Sequence, residues 1–365
     1  MNGYVVFRNT LIVLSALALA YLVVATFDVW TVLIVAILIA SAIRPMITRL
    51  KRWRISESVA ILIVYGVFFL GSIMTFVTVL PPVINQFVSY IQNEDRLANR
   101  IIVAQYWVER TLSDITGNSI DIGIPQEEIR TAVRDVVETL RVTAPNLIDD
   151  VSSFIGDAIL IFVMGAYWIT SRQRAEDFIV DIMPISRQAQ VRAIMQEIEY
   201  GLGAYVRGLA LVSLIVGLIC FVALALVRVP NAATLAFIYA IATAIPIIGG
   251  LIGVVLCTAL ALLSSPTSAL LVFVITVLLQ QVENYFLSPR IVSQSTAFDE
   301  ILVIIVIAIG FSLDGITGAL ISVPVAGTGI ILLKHLVLEP RRNKVVPDRV
   351  EGGILIAKAD GSADS

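Results

Sequence analysis

NAATLAFIYAIATAIPIIGGLIGVVLCTALALL, residues 231–263, carries no charged side chain, yet it is broken near its centre by Pro246 and the Gly249-Gly250 pair. One straight helix of that length would run about 50 Å, against about 30 Å for the hydrocarbon core of a bilayer. Proline removes an amide donor, and glycine tolerates close approach and positive φ. The stretch therefore reads as two short apolar arms joined by a tip. Segment 299–336 is built alike. Its arm 301–311 leads into Ser312-Leu313-Asp314-Gly315-Ile316-Thr317-Gly318, and a second apolar arm runs on to Leu333. Between the two segments, 267–283 suits a single crossing.

Irregular backbone at membrane depth is tolerated only where protein or a water-filled cavity shelters its peptide groups. Paired interrupted segments of this kind point to a solute site in a transporter, because half-helix ends present free donors and acceptors. If both segments are re-entrant, the first enters from outside and the second from inside, which suits alternating access. The other reading is two ordinary hairpins or kinked spans, with Gly249-xxx-Gly253 serving helix packing.

The rest of the chain fits a polytopic, all-α membrane protein. Of its 365 residues 58% are hydrophobic and 15% charged, and the mean hydropathy is +0.93. Soluble domains hold about 25% charged residues. Residues 1–80 carry the N-terminal spans. The runs 10–27 and 29–43 are expected to form a helical hairpin, although Ala18-Leu19-Ala20 also resembles a signal-peptide cleavage site. Residues 58–80 form the next span, expected to stop at Pro81-Pro82. Region 81–150 holds eleven Asp/Glu, six Arg and no Lys. Val83, Ile84, Phe87, Val88 and Ile91 repeat at helical spacing, as do Ile129, Val133, Val136, Val137 and Leu140, so a small helical domain outside the membrane is expected. Region 151–204 adds a span at 151–171 and a mixed-charge amphipathic stretch at 172–200. Region 205–338 is the expected transport bundle, with a span at 205–227 before the two hairpins. Region 339–365 is a polar tail whose last residues, 359–365, read as disordered.

Charge decides sidedness. Arg44, Arg49, Lys51, Arg52 and Arg54 form one basic loop, and the tail carries Arg341, Arg342, Lys344 and Arg349. Both should be cytoplasmic, with both termini, and the lysine-free 81–150 domain outside. The net charge of −3 leaves no basic stripe for nucleic acid. Cys220 and Cys257 lie in apolar runs and suggest neither a disulfide nor a metal site. No P-loop appears, so ATP is not the energy source. One histidine, His335, and no nucleophile motif argue against an enzyme, and no cofactor is expected. A scaffold or sensor built on the 81–150 domain is a third class, but it would have no use for broken segments.

Ionisable groups at membrane depth are costly and mark function. Glu283 and Asn284, with Gln280 and Gln281, close the 267–283 span, either as an interfacial polar cap or as a gate beside the hairpins. Asp314 stands at a tip, as a turn residue before Gly315 or as a cation or proton ligand. Arg207 either snorkels to the interface or pairs with a carboxylate such as Glu283. Asp157 is expected to be wet, and Asn231 to cap the first arm. The solute contacts are thus expected from Pro246, Gly249, Gly250, Gln281, Glu283, Asn284, Asp314, Gly315 and Gly318, arranged as a polar site near mid-membrane.

Ile245-Pro246-Ile247-Ile248-Gly249, Gln281-Val282-Glu283-Asn284-Tyr285 with Pro289-Arg290-Ile291-Val292, and Gly315-Ile316-Thr317-Gly318-Ala319-Leu320-Ile321-Ser322-Val323-Pro324 together resemble the autoinducer-2 exporter family of bacterial permeases. The likeness runs end to end. Two positions depart from the pattern: Gly250 stands where the family often has proline, and Phe298-Asp299 where it has His-Pro. The resemblance implies a homo-oligomeric secondary transporter, a pentamer, in the bacterial cytoplasmic membrane. It also implies export of a small polar solute such as autoinducer-2, or alternatively Na⁺(Li⁺)/H⁺ antiport.

Overall fold

Apolar runs of this length leave the backbone no stable option in a bilayer except helix, and the computed structural model is helical throughout. It describes residues 3–91, 94–291 and 300–338, with no strand among them. The helices are α1 (Gly3–Ala25), α2 (Phe27–Arg52), α3 (Glu57–Ile91), α4 (Glu94–Thr116), α5 (Gln126–Asp181), α6 (Ile185–Leu226), α7 (Ala232–Thr243), α8 (Gly249–Leu262) and α9 (Pro266–Val282). A π-helical turn, Glu283–Leu287, leads into α10 (Ser288–Ile291), and α11 (Glu300–Leu333) ends in a second π-helical turn, Lys334–Leu338. The polar tail 339–365 and the Phe298-Asp299 pair lie outside the described residues.

Among the described residues, five helical stretches are long and apolar enough to cross a membrane: Phe27–Arg52, Glu57–Met74, Ile185–Leu226, Pro266–Ile291 and Ile301–Leu338. Two expectations fail. Pro81 and Pro82 do not end α3, which continues to Ile91. Each proline deletes one ladder bond, but the flanking turns carry the helix through. Nor do the first two helices form a close hairpin. Only Thr26 separates α1 from α2, and one residue cannot reverse a chain as a loop of about 2–8 residues does. The described side chains of α1, from Phe7 to Val24, stay exposed.

Three packed units matter for the site. In the first, α2, α3 and α5 meet around Ile47, Ala60 and Tyr65, where Tyr65 packs edge-on to Phe162 at 5.9 Å. In the second, α6 to α9 enclose Val216, Cys220, Tyr239, Cys257 and Val272. The Tyr239 hydroxyl donates to the Thr276 carbonyl at 3.0 Å and the Cys257 thiol to the Leu235 carbonyl at 3.2 Å. In the third, α4 pairs with the start of α5 through Ala98, Ile102, Ile129, Val133 and Val137. Val136, expected on that face, is exposed instead. The 56 residues of α5 span about 84 Å, so one helix joins its pairing with α4 to the mixed-charge stretch at its far end.

That far end holds an ion-pair belt. Arg44 of α2 reaches Glu199 of α6 at 2.8 Å, and Arg172 of α5 reaches the same carboxylate at 2.5 Å. Arg172 and Arg192 flank the buried Glu176 at 3.3 and 3.2 Å. The end of α11 joins through Glu197, which meets His335 at 2.7 Å and Lys334 at 3.7 Å. At the opposite end Arg100 of α4 donates to the Ser264 carbonyl at 2.7 Å. The basic residues 44–54, which the sequence reads as a loop but which lie mostly in the last turns of α2, the 172–200 stretch and residues 334–335 therefore share one end, and the α4–α5 pair and the α8–α9 turn share the other.

Candidate functional site

The first broken segment folds as two short arms. α7 has 12 residues and α8 has 14, about 18 and 21 Å each, short of a full crossing. They fold back on one another so closely that a Cβ on Gly249 would overlap the Ala242 carbonyl. Gly253 meets the Tyr239 ring in the same way, so the Gly249-xxx-Gly253 pair does serve packing. At the tip the Gly249 amide donates to the Ile245 carbonyl at 3.0 Å and the Ile248 amide to the Pro246 carbonyl at 2.7 Å. The positive φ falls on neither glycine but on Ile247, at 66°. A β-branched residue there is strained, and such strain concentrates at functional sites. Composition alone gives no signal for it.

The second segment is also a hairpin. α11 is interrupted at Asp314 (φ −150°, ψ 39°) and Gly315 (φ 52°, ψ −135°). Gly310 and Gly318 face each other across that break, and a Cβ on either would overlap the other's carbonyl. Gly315 does adopt the positive φ that the sequence leads one to expect, and Gly318 makes the close approach. The arms pack on α6 through Tyr205, Ile307, Ala319 and Val323, and the buried Tyr205 hydroxyl has no hydrogen-bond partner.

The two tips meet. Ile245, Ile247 and Ile248 of the first, with Ile304, Phe311 and Ile316 of the second, line a cavity of about 510 Å³. Its wall is apolar, against the expectation of a polar site: none of Gln281, Glu283, Asn284 and Asp314 lines it. Helical phase explains part of this. Gln281 and Asn284 share the exposed face at the end of α9, while Gln280 and Glu283 point inward. Gln280 lies against Gly250, and Glu283, 9% exposed, has a buried Oε2 with no hydrogen-bond partner. Asp314 is half-buried behind the tip, close to Gly318.

Other candidates resolve into structural roles. Arg207 neither snorkels nor pairs with Glu283. Its Nη1 donates to the Ser41 and Ala42 carbonyls of α2 at 3.1 and 3.4 Å. Pro45 explains this, since it has no N–H to return to Ser41, four residues earlier, and the guanidinium takes the place of the missing donor. Gly203, one turn before, admits the close crossing of α2 and α6. Asn231 stands before α7 at φ 57° but makes no side-chain cap bond. Asp157 is exposed. Cys220 and Cys257 are free and buried, and no group of His, Cys, Asp or Glu suited to a metal occurs among the described residues.

A polytopic helical protein whose two broken hairpins meet over a cavity belongs to the transporter class by architecture. A family model described as "AI-2E family transporter" matches residues 11–338, and the chain belongs to that family. Curated relatives bear the name "Putative transport protein". YueF of Bacillus subtilis (strain 168) is 21% identical over 76% of both chains. YrrI of the same strain is 24% identical over 83% of this chain and 85% of its own. MT0215 of Mycobacterium tuberculosis (strain CDC 1551 / Oshkosh) is 25% identical over 86% of this chain and 85% of its own.

Proposed function

We propose that this protein is a secondary transporter that passes a small uncharged organic solute through the space between the two hairpin tips. The observation that carries the reading is the cavity of about 510 Å³ where both tips converge. Ligand sites of about 300–1,000 Å³ with mostly apolar walls suit small organic molecules. An apolar wall offers a bare cation nothing in place of its hydration shell. This favours export of a solute such as autoinducer-2 over Na⁺(Li⁺)/H⁺ antiport as the main activity. The apolar wall contacts the solute's carbon skeleton. Two side chains near the tips, Asp314 and Gln280, act from behind.

The short arms of α7 and α8 support re-entrance of the first segment, and Asp314-Gly315 the same for the second. With the ion-pair belt and its lysines on the cytoplasmic side, the chain sits in a bacterial cytoplasmic membrane with the outer pair α4–α5 outside. α1 and the outer pair carry unpartnered apolar faces suited to a homo-oligomer. A scaffold or sensor is disfavoured, because it has no need of facing tips.

The test is flux into proteoliposomes with autoinducer-2, Na⁺, Li⁺ and H⁺ offered in turn. Saturable furanone uptake, abolished by Ile247→Trp or Ile316→Trp in the cavity wall, is the expected result. Cation flux unaffected by both substitutions would overturn the assignment.

A further inference from the structure

We infer that Glu283 is the proton-binding group through which a proton gradient acts on the first hairpin. The inference rests on the transport reading above and deepens it, since a cavity with no ionisable wall cannot itself sense a gradient.

Four observations converge on Glu283. It lies inside Pro266–Ile291, a stretch long and apolar enough to cross a membrane, where a carboxyl group is costly and marks function. It is 9% exposed, and its Oε2 has no hydrogen-bond partner. Among the described residues no Arg, Lys or His forms an ion pair with it. It also opens the π-helical turn Glu283–Leu287, an irregularity frequent at functional sites.

Its surroundings suit a proton better than a metal ion. The Tyr239 hydroxyl of α7, in the core that α9 helps to enclose, is already committed to the Thr276 carbonyl at 3.0 Å. Cys220 of α6 and Cys257 of α8 belong to the same core, the latter engaged with the Leu235 carbonyl. Tyr285 and Arg290, on the same stretch as Glu283, are exposed. A desolvated monovalent cation needs several oxygens. A proton needs one, and Oε2 is uncommitted.

The link to the hairpin is short. Gln280 and Glu283 are three residues apart and so share a helix face, and the Gln280 side chain lies against Gly250, at the start of α8 just after the tip. When the proton binds, the carboxyl becomes a neutral donor. When the proton leaves, an unpaired charge must find water or a partner, and the side chains around Gln280 must shift to admit it. The proton enters from one side of the membrane and leaves to the other, and no bond other than O–H forms or breaks.

Two measurements on the full-length protein in liposomes test this. Infrared difference spectra between neutral and mildly alkaline buffer should show loss of one carboxylic-acid band in the wild type, and Glu283→Gln should show none. An unchanged band in Glu283→Gln, or no band in the wild type, overturns the assignment. In flux assays with autoinducer-2 as the probe, an imposed pH gradient should accelerate wild-type transport several-fold. Glu283→Gln should keep solute–solute exchange but lose the response to pH. A response to Na⁺ in place of H⁺, or a pH response intact in Glu283→Gln, overturns the proposal while leaving transport standing. Absence of flux in every protein would strike the transport reading alone, and the infrared result would then decide the proton site.

Discussion

The two hairpins solve one problem with opposite means. Each reverses an apolar chain inside the membrane, and each brings its arms together where a glycine meets a carbonyl. The first is embedded. α7 and α8 lie between α6 and α9, with Tyr239, Cys220 and Cys257 fully buried around them. The second is peripheral, leaning on α6 and more weakly on α2, with Phe311, Leu313 and Ile316 about 60% exposed. The first tip turns on a strained isoleucine, and the second on a glycine suited to its angles. An embedded, strained turn is held by what surrounds it. A peripheral, relaxed turn is free to move. We read the first hairpin as the tightly held wall of the cavity, which the Glu283 proton shifts only slightly, and the second as the one that moves further.

The sharpest way to break that contrast is to add one methyl group to each arm crossing. Gly249→Ala drives a Cβ into the Ala242 carbonyl, and because α6 and α9 hold both arms, the strain has no outlet. Overpacking of this kind costs up to about 3 kcal/mol. Gly318→Ala meets the Gly310 carbonyl just as directly, but its arms can part toward open space, so about 1 kcal/mol is expected. Thermal unfolding in detergent should therefore drop much further for Gly249→Ala. Transport should fall in both. Equal losses of stability would erase the distinction between wall and gate.

A smaller effect tests the frame on which the second hairpin leans. Arg207 ties α6 to the Ser41 carbonyl orphaned by Pro45, two residues from Tyr205, which packs on the hairpin. Arg207→Met should cost about 2 kcal/mol, the worth of a charged hydrogen bond with a buried acceptor left behind. Pro45→Ala restores the missing N–H, so in that background the same change should cost less than half as much. A double-mutant cycle reads the difference. Additive costs would mean that the guanidinium serves some other purpose.

These positions also show what a sequence can and cannot disclose. The hairpins are legible because length, missing charge and the Pro/Gly breaks each limit what a bilayer permits. The α4–α5 helical pair and the mixed-charge belt are legible from spacing and composition. Which residues of the 280–284 cluster face inward is not, because one step along a helix turns a side chain by about 100° and a run of neighbouring polar and charged positions gives no phase. Gln281, Glu283 and Asn284 stand out by their chemistry, whereas packing turns Gln280 and Glu283 inward. The role of Arg207 depends on a proline more than 160 residues away, a relation that only folding creates. Pro81 and Pro82 mislead for a related reason: proline weakens a helix locally, and whether the helix resumes depends on the residues beyond it.

Ile247 offers the finest test of the comparison, since it sets strain against function at a single residue. A β-branched side chain at φ 66° costs about 1–2 kcal/mol relative to an unstrained turn. Ile247→Gly removes that strain but adds about 0.5–1 kcal/mol of backbone entropy to the unfolded chain and exposes a little more of the cavity wall. The net change in unfolding free energy should lie within about 1 kcal/mol of zero, smaller than the losses at Gly249 and Arg207. Transport should respond out of proportion. A glycine at 247 would let the first tip sample many conformations, so the tightly held wall would soften and solute affinity would fall with little change in the melting temperature. If Ile247→Gly transports as the wild type does, the strain at that tip is incidental, and the rigidity of the first hairpin must come from its neighbours alone.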